Sequence, residues 1–99
     1  MIKRFTLSLL FLLMVVHSVL AQIQGVVTDA ETGEPLPFLS VYYEGKGVGG
    51  ITDIDGRFSV PKYVEWKELT FSSIGYETQV VPISVNTKEL NIKLKPLDH

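Results

Sequence analysis

The chain of 99 residues contains no cysteine, and it has only two histidines, His17 and His99. Disulfides and thiol catalysis are therefore excluded, and a folded domain must be stabilised by packing alone. The chain also lacks an excess of basic residues, with nine Lys and Arg against eleven Asp and Glu. Because nucleic acids are held chiefly by Lys and Arg on phosphates, this composition argues against a nucleic-acid partner.

No apolar run is long enough to span a membrane. Lys3 and Arg4 precede an apolar stretch of about 12 residues, and a small-residue pattern ends at Ala21. A spanning helix requires roughly 20 apolar residues, so the pattern is typical of a helical signal peptide that is cleaved after Ala21. An uncleaved anchor is the alternative. We expect residues 1–21 to be a signal peptide and residues 22–99 to be one exported domain without a membrane span.

Long helical periodicity is also missing after residue 21, where short strand-like runs alternate with turn residues. Seven such runs, about 8 to 12 residues apart, predict an all-β, seven-stranded antiparallel β-sandwich. Pro82 marks its run as an edge strand or a bulge, because proline cannot donate to a ladder. The positions predicted to face the core are Leu39, Val41, Tyr43, Phe58, Val60, Leu69, Phe71, Leu90, Ile92 and Leu94.

Glycine and proline mark the connections between the predicted strands. The stretch "KGVGG", residues 46–50, is interpreted as flexible, and "ITDIDGRFSV", residues 51–60, as a β-hairpin. A four-residue "DIDG" connection suits a turn that ends in a left-handed residue, which glycine tolerates. The predicted structural turns contain Gly33, Pro35, Gly56 and Gly75.

Asp53 and Asp55 are the candidates for a cation site. In an EF-hand alignment that places Gly56 at position six, the first position is Ile51 and the twelfth is Lys62, where a bidentate Glu is required. Two necessary carboxylates are therefore missing. We interpret both aspartates as turn formers and predict neither a metal nor a cofactor.

Two segments carry a family resemblance. The stretches "GVVTDAETGEPLPFLSVYYEGKGVGGITDIDGRFSV" and "LTFSSIGYETQVV" resemble the carboxypeptidase-regulatory-like domain family over about residues 22–96. The resemblance implies a transthyretin-like (prealbumin-like) β-sandwich. Similar domains lie at the N-terminus of TonB-dependent outer-membrane receptors and of uncharacterised outer-membrane barrel proteins.

The resemblance implies a non-catalytic accessory or interaction module. We expect the N-terminal periplasmic domain of a Gram-negative outer-membrane protein, or a truncated form of one. Its partners would be the remainder of the barrel protein or a periplasmic protein. No catalytic residue is predicted, because His99 lies at the chain end and the paired histidines and Tyr-Arg-Gly-Ser ending of transthyretin-like hydrolases are absent.

The alternative is a free-standing secreted domain that binds glycan or protein. Its candidate contacts are Tyr63 and Trp66, since an aromatic pair in a loop can stack on a sugar ring or a partner protein. Burial as a lid over the core is the favoured interpretation of these rings. Tyr76 is expected to pack over the end of the sandwich with its hydroxyl on the backbone. Lys93 and Lys95 are expected to form a solvated outer face of the last strand, which would also protect it from uncontrolled pairing. The alternative is that a periplasmic or barrel-linked segment adds to this strand.

Overall fold

The computed structural model describes residues 22–97 as seven β-strands in two packed sheets. Residues 1–21, which hold the predicted signal peptide, and residues 98–99, which include His99, lie outside the described residues. Within 22–97, no helix has the length and apolar character to cross a membrane. The strands are β1 (Gln22–Asp29), β2 (Ser40–Tyr43), β3 (Val48–Ile51), β4 (Arg57–Pro61), β5 (Glu68–Ser72), β6 (Gln79–Pro82) and β7 (Glu89–Leu94).

The strands form a three-stranded sheet in the order β4-β1-β7 and a four-stranded sheet in the order β3-β2-β5-β6. The predicted seven-stranded, all-β sandwich is thus confirmed. One pair differs from the antiparallel expectation, because β1 and β7 are parallel while the other pairs are antiparallel. Each successive strand reverses the chain direction, so strands one and seven run the same way when they become neighbours.

The core lies between the two sheets, and the alternation in the sequence predicts it well. Along β2 the side chains of Val41 and Tyr43 are buried, and Leu39 is buried just before the strand. Phe58 of β4 and Phe71 of β5 meet edge to face with 5.3 Å between ring centroids, which joins the two sheets. Pro82 lies on β6, an edge strand, as its inability to donate to a ladder requires.

The segment predicted to be flexible contains strand β3. Gly49 lies opposite Tyr42 in the β2–β3 ladder. A Cβ at Gly49 would lie 2.4 Å from the carbonyl oxygen of Val41 and 2.7 Å from the Cβ of Tyr42. Glycine is therefore needed here for close packing of two strands, and the prediction of a flexible segment was wrong.

The predicted hairpin over residues 51–60 was also wrong. Ile51 pairs with Ser40 in the four-stranded sheet, whereas Arg57 pairs with Val26 in the three-stranded sheet. The connection therefore crosses between sheets instead of joining two partners in one ladder. Sequence alternation alone could not show which strands are neighbours, because it specifies faces and not pairings.

Thr52 fastens this crossing to the loop that precedes β2. Its hydroxyl donates to the Leu36 carbonyl oxygen at 2.6 Å and accepts the Leu39 N–H at 2.9 Å. Its own backbone N–H donates to the Leu39 carbonyl oxygen at 2.9 Å. Because Thr52 is fully buried, water does not replace its hydroxyl as the partner of the Leu36 and Leu39 backbone groups.

We expect Thr52→Val to destabilise the domain more than Thr52→Ser. Valine preserves the volume but leaves the Leu39 N–H and the Leu36 carbonyl oxygen without their partner, which costs about 1 to 3 kcal/mol. Serine keeps the hydroxyl and loses one methyl group, worth about 1 kcal/mol. Urea unfolding followed by the fluorescence of Trp66 measures both. The reverse order would show that packing, and not hydrogen bonding, fixes Thr52.

Candidate interaction surface

Three aromatic rings cluster where β2 ends and the β4–β5 loop begins. The rings of Tyr63 and Trp66 have centroids 4.3 Å apart, and Tyr43 lies 5.0 Å from Trp66 and 6.0 Å from Tyr63. Tyr43 is buried and donates its hydroxyl to the Pro61 carbonyl oxygen at 2.7 Å. Burial raises the pKa of Tyr43 above its ordinary value. Tyr43 is therefore a fixed ring against which the two loop aromatics pack.

The structure brings Tyr63 and Trp66 together and leaves both partly accessible. Trp66 packs against the core with Lys46 5.8 Å from its ring centroid, while Tyr63 is 41% exposed. The loop thus combines both interpretations considered for the pair, because one ring covers the core and the other faces solvent. Large aromatic side chains that stay partly exposed are enriched at protein interfaces.

An open groove runs beside these rings between the β4–β5 and β6–β7 loops. It has a volume of about 310 Å³ and continues into a wider cleft of about 530 Å³, and both share Lys62, Val64 and Val85. We call the combined feature the aromatic groove. The other residues that line it include Tyr63, Trp66, Ile83, Gln22, Gln24 and Lys88. Its volume falls within the range of small-ligand and peptide sites.

Lys62 holds the two loops of the aromatic groove together. Its ammonium group donates to the carbonyl oxygens of Val85 and, at 2.8 Å, of Thr87. Val64 and Val85 are exposed on either side of this contact. The groove therefore presents apolar side chains on loops that are tied to each other, which reduces the entropy lost when a partner binds.

The lining of the aromatic groove is mainly apolar and aromatic, with charged side chains among it. Its side chains supply apolar contacts, lysine donors and the Glu89 carboxylate, and among residues 22–97 no buried side-chain oxygen or nitrogen lacks a hydrogen-bond partner.

Asp53 and Asp55 lie in the exposed turn that crosses between the sheets. Asp53 Oδ1 accepts the backbone N–H groups of Asp55 and Arg57, both at 2.9 Å, and the Gly56 N–H donates to the Asp53 carbonyl oxygen at 3.0 Å. Within residues 22–97, no three His, Cys, Asp or Glu residues lie close enough to hold a metal ion. Asp53 thus stabilises the turn through backbone contacts.

The other predicted turn residues lie at the opposite end of the sandwich from the aromatic groove. Gly33, Gly56 and Gly75 have positive φ values of 78°, 74° and 87°. Pro35 lies in the β1–β2 loop and forms an isolated bridge with Thr28. These residues shape the loops and do not contribute to the aromatic groove.

An Asp29–Tyr76 pair joins the end of β1 to the β5–β6 loop, and sequence reasoning missed it. The Tyr76 hydroxyl donates to Asp29 Oδ2 at 2.7 Å, so the expectation of a backbone acceptor was wrong. Asp29 Oδ1 accepts the N–H groups of Glu31 and Thr32 at 2.7 and 3.0 Å. Both partners lie in the quoted motifs "GVVTD" and "SIGY", which was the available signal.

The Asp29–Tyr76 pair predicts a stability that falls at both extremes of pH. The Tyr76 hydrogen bond, followed by those from Thr32 and Glu31, lowers the pKa of Asp29 below 3.8. The contribution of ionised Asp29 to the free energy of unfolding is therefore complete above the ordinary pKa of 3.8, and it is lost as pH falls through the lowered pKa. The pKa of Tyr76 is raised above 10.0, chiefly by the same bond, so its contribution is lost as pH rises through the raised value.

The free energy of unfolding as a function of pH tests this pair in the chain and in Tyr76→Phe. Phenylalanine keeps the ring and removes the hydroxyl donor. We expect the variant to lose stability at neutral pH and to show a shallower fall at both extremes. An unchanged profile would show that the Asp29–Tyr76 bond does not contribute to stability.

Comparison with known sequences places these features in a wider group. The chain is 40% identical over 93 residues to the TonB-dependent receptor P39 of Formosa agariphila, covering 92% of this chain and 9% of the receptor. It is 34% identical over 73 residues to the TonB-dependent receptor SusC of Bacteroides thetaiotaomicron, covering 74% of this chain and 7% of the receptor. The chain thus spans less than a tenth of the length of these relatives.

Comparison with solved structures supports the fold. A chain in the crystal structure of a type II cohesin–X-dockerin complex from Acetivibrio cellulolyticus superposes with a TM-score of 0.53 at 13% identity. The match covers 74% of this chain and 51% of the other. At this identity the likeness concerns the β-sandwich alone.

A family match covers residues 23–98, which includes both sheets, the Asp29–Tyr76 pair and the aromatic groove. The match agrees with the resemblance of the motifs "GVVTD", "GGITDIDG" and "SIGY" described above. The chain therefore belongs to the CarboxypepD_reg-like domain family.

Proposed function

We propose that this chain is a non-catalytic, exported interaction module that works as the N-terminal periplasmic domain of a TonB-dependent-receptor-like outer-membrane protein. Family membership and the receptor relatives support this assignment. The single observation that carries the interaction role is the aromatic groove, where Tyr63, Val64 and Val85 are exposed on two loops joined by Lys62.

The aromatic groove has the composition of a small protein-binding surface. Apolar and aromatic side chains form its centre, and four charged residues lie around them: Lys62, Lys67, Lys88 and Glu89. Aromatic residues are enriched at interface cores, while charged residues concentrate at the rim. Charges of both signs therefore lie at the rim, and complementary charges on a partner segment would speed association and select that partner.

A second candidate function is that of a free-standing secreted domain that binds glycan or protein. It is favoured by the partly exposed Tyr63 ring supported by Trp66 at 4.3 Å. A sugar stacked on these rings would change the fluorescence of Trp66, the only tryptophan of the chain. Titration with neutral oligosaccharides separates the two candidates, because the first predicts no response.

Site-specific photo-crosslinking in the encoding bacterium tests the interaction role. A photoreactive amino acid replaces Val64, which is exposed on the aromatic groove, or Ile74, which is fully exposed at the opposite end of the sandwich. Both replacements leave the core intact. We expect an adduct with a periplasmic or outer-membrane protein from position 64 and none from position 74.

The same experiment can contradict the proposal. Equal adduct yields from both positions would show that contact is nonspecific, and absence of any adduct from position 64 would remove the aromatic groove as an interaction surface. A Lys62→Met variant provides a further check, because it keeps an unbranched apolar side chain and loses the ammonium group that donates to the Val85 and Thr87 carbonyl oxygens. We expect it to reduce the yield from position 64.

A further inference from the structure

The four strands at the sheet edges differ in how they are protected from pairing with another chain. Unpaired N–H and C=O groups at an edge accept a further strand unless charged residues, proline or a covering segment prevent it. Arg57 and Pro61 lie on β4, Pro82 lies on β6, and Lys93 lies on β7. Strand β3, with the sequence VGGI, has neither a charge nor a proline.

The edge beside β7 is also partly covered. The Glu77 N–H donates to the Lys95 carbonyl oxygen at 2.9 Å, and the Leu97 N–H donates to the Gly75 carbonyl oxygen at 2.9 Å. These bonds join the segment after β7 to the β5–β6 loop. Strand addition at the last strand, the alternative considered from the sequence, therefore meets an edge that is already partly occupied.

Strand β4 approaches β3 from the core side and leaves the free edge of β3 accessible. A Cβ at Gly50 would lie 3.8 Å from the Ser59 carbonyl oxygen of β4, an ordinary contact distance. Gly50 is opposite the buried Val41 in the β2–β3 ladder, so this contact lies on the core face. Within residues 22–97, β3 pairs with β2 alone, and Gly49 and Ile51 are exposed.

The backbone of β3 directs two residues outward. The Thr52 N–H donates to the Leu39 carbonyl oxygen of the neighbouring segment, and in an antiparallel pair alternate residues point to the same partner. Gly50 therefore faces β2, and the N–H and C=O groups of Gly49 and Ile51 face the free side. These two residues offer two donors and two acceptors to an added strand.

An antiparallel pair of two β3 strands is self-complementary around a two-fold axis beside Gly50. Gly49 of each copy then lies opposite Ile51 of the other, and the two residues exchange their free N–H and C=O groups. An axis beside Gly49 would place Ile51 opposite Gly47 in the β2–β3 turn. An axis beside Ile51 would place Gly49 opposite Asp53, whose N–H already donates to the Arg57 carbonyl oxygen. The axis beside Gly50 is therefore the one that uses the outward groups of both strands.

The side chains on the outer face fit the same arrangement. Ile51 is 62% exposed, and Gly49 lies opposite Tyr42 in the β2–β3 ladder. In the two-fold pair, Ile51 of one copy lies opposite a glycine of the other and one strand away from Tyr42. A β-branched side chain beside an aromatic ring on neighbouring strands is stabilising. The large residue of one copy thus meets the small residue of the other, twice.

The charges at the two ends of β3 are also complementary. Lys46 precedes the strand, Asp53 and Asp55 follow it, and the three residues are exposed. Antiparallel pairing brings Lys46 of each copy to Asp53 and Asp55 of the other. The exposed Glu44 and Arg57, farther out at the same two ends, likewise carry opposite charges. Complementary charges across an interface fix the register and select the partner.

A further apolar side chain is exposed beside this edge. Phe38 is 68% exposed, and its N–H donates to the Thr52 carbonyl oxygen at 3.0 Å, next to the end of β3. Its φ of 56° is the only positive φ of a non-glycine residue among residues 22–97. Backbone strain of this kind is common at functional positions.

We propose that β3 pairs with β3 of a second copy of this chain, so that two four-stranded sheets become one continuous sheet of eight strands. The second copy is the occupant because one strand supplies both members of each complementary set: glycine and isoleucine, lysine and aspartate, donors and acceptors. This inference goes beyond the proposed function, because β3 and its flanking charges do not include any residue that lines the aromatic groove.

Sedimentation equilibrium of the exported chain tests the proposal. The contact is small, so we expect a weak dimer with a dissociation constant of roughly 0.1 to 1 mM. Ile51→Lys places a charge at the centre of the contact and should weaken the dimer at least tenfold. Val80→Lys is the matched control, since Val80 is 53% exposed on the edge strand β6, and it should leave the dimer unchanged.

A pair of charge reversals tests the occupant and the orientation. Lys46→Glu and Asp55→Lys should each weaken self-association, and an equimolar mixture of the two variants should associate more tightly than either alone. Asp55 is chosen because Asp53 Oδ1 accepts the backbone bonds of the turn. Lys46 also lies 5.8 Å from the Trp66 ring centroid, but mixing would not reverse a defect that arises from losing that contact within one copy.

Cysteine crosslinking tests the position of the axis, because the chain has no cysteine of its own. Directly opposed residues of an antiparallel pair have Cβ atoms about 4.5 to 5.5 Å apart, close enough for a disulfide after a small adjustment. Gly50→Cys should therefore give a disulfide-linked dimer on mild oxidation, whereas Val80→Cys should stay monomeric.

Four outcomes would overturn the proposal: a monomer at all concentrations up to about 1 mM, a dimer that Ile51→Lys does not weaken, a mixture of charge variants that associates no better than either alone, or a Gly50→Cys chain that links to another protein and not to itself. None of them affects the crosslinking result from position 64, so the two proposals fail separately.

Discussion

Phe71→Ala is expected to lower the free energy of unfolding by about 3 to 5 kcal/mol, the range for phenylalanine truncated in a core. Phe71 of β5 is fully buried and contacts Phe58 of β4, so the change opens a cavity between the two sheets. A small domain without disulfides has a stability near the lower end of about 5 to 15 kcal/mol. The variant should therefore lie close to its unfolding midpoint without denaturant.

Urea unfolding of Phe71→Ala, followed by the fluorescence of Trp66, measures this loss. Ile74→Ala is the control, because Ile74 is fully exposed and its truncation should change stability by less than about 0.5 kcal/mol. Similar losses in both variants would contradict the assignment of the core to the space between β4 and β5.

Gly56→Ala is expected to destabilise the domain by about 3 kcal/mol, through overpacking of about 1 to 3 kcal/mol and a left-handed backbone that costs about 1 to 2. A Cβ at Gly56 would lie 2.6 Å from the Val27 carbonyl oxygen and 3.1 Å from the Leu36 nitrogen. These two atoms are hydrogen-bonded to each other at 3.0 Å. The substitution therefore separates the loop before β2 from β1.

Gly33→Ala is the matched control for Gly56→Ala. Gly33 has a φ of 78°, close to the 74° of Gly56, but a Cβ there would have no atom within 4 Å. Its substitution should cost only the conformational strain, about 1 to 2 kcal/mol. Unfolding in urea compares the two variants directly. Equal losses would show that backbone conformation alone requires glycine at position 56.

The faces of the strands were predictable from the sequence, because a half-buried strand alternates apolar and polar side chains. Val41 with Tyr43, and Phe58 with Val60, are buried as their alternation predicts. The pairing of strands was not predictable in this way. Ile51 and Arg57 are close in sequence, yet they lie in different sheets, and no local pattern specifies that crossing.

Glycine was the most misleading residue type at the sequence level. The "KGVGG" stretch has the composition of a flexible loop, but Gly49 belongs to a strand whose close approach to Tyr42 excludes a Cβ. Glycine is common both where a loop is flexible and where two strands pack too closely for a Cβ, so the residue type alone does not distinguish the two cases. Only the pairing of β3 with the neighbouring strand β2 distinguishes the two cases.

The candidate site was partly predictable. Tyr63 and Trp66 stood out as aromatics in a loop, and the structure places them together beside the aromatic groove. The contribution of Lys62 could not be foreseen, because its acceptors are carbonyl oxygens more than twenty residues away. The positive φ of Phe38 was equally hidden, since the following "LS" favours an ordinary strand.

The length and location of the polypeptide that carries this domain in the cell test the central claim most directly. Antibodies against the folded domain are used on outer-membrane, periplasmic and medium fractions of the encoding bacterium. The proposed function predicts an outer-membrane polypeptide roughly ten times longer than this chain, since the chain covers 9% and 7% of its receptor relatives. Detection only as a free domain of about 78 residues, in the periplasm or medium, would contradict it.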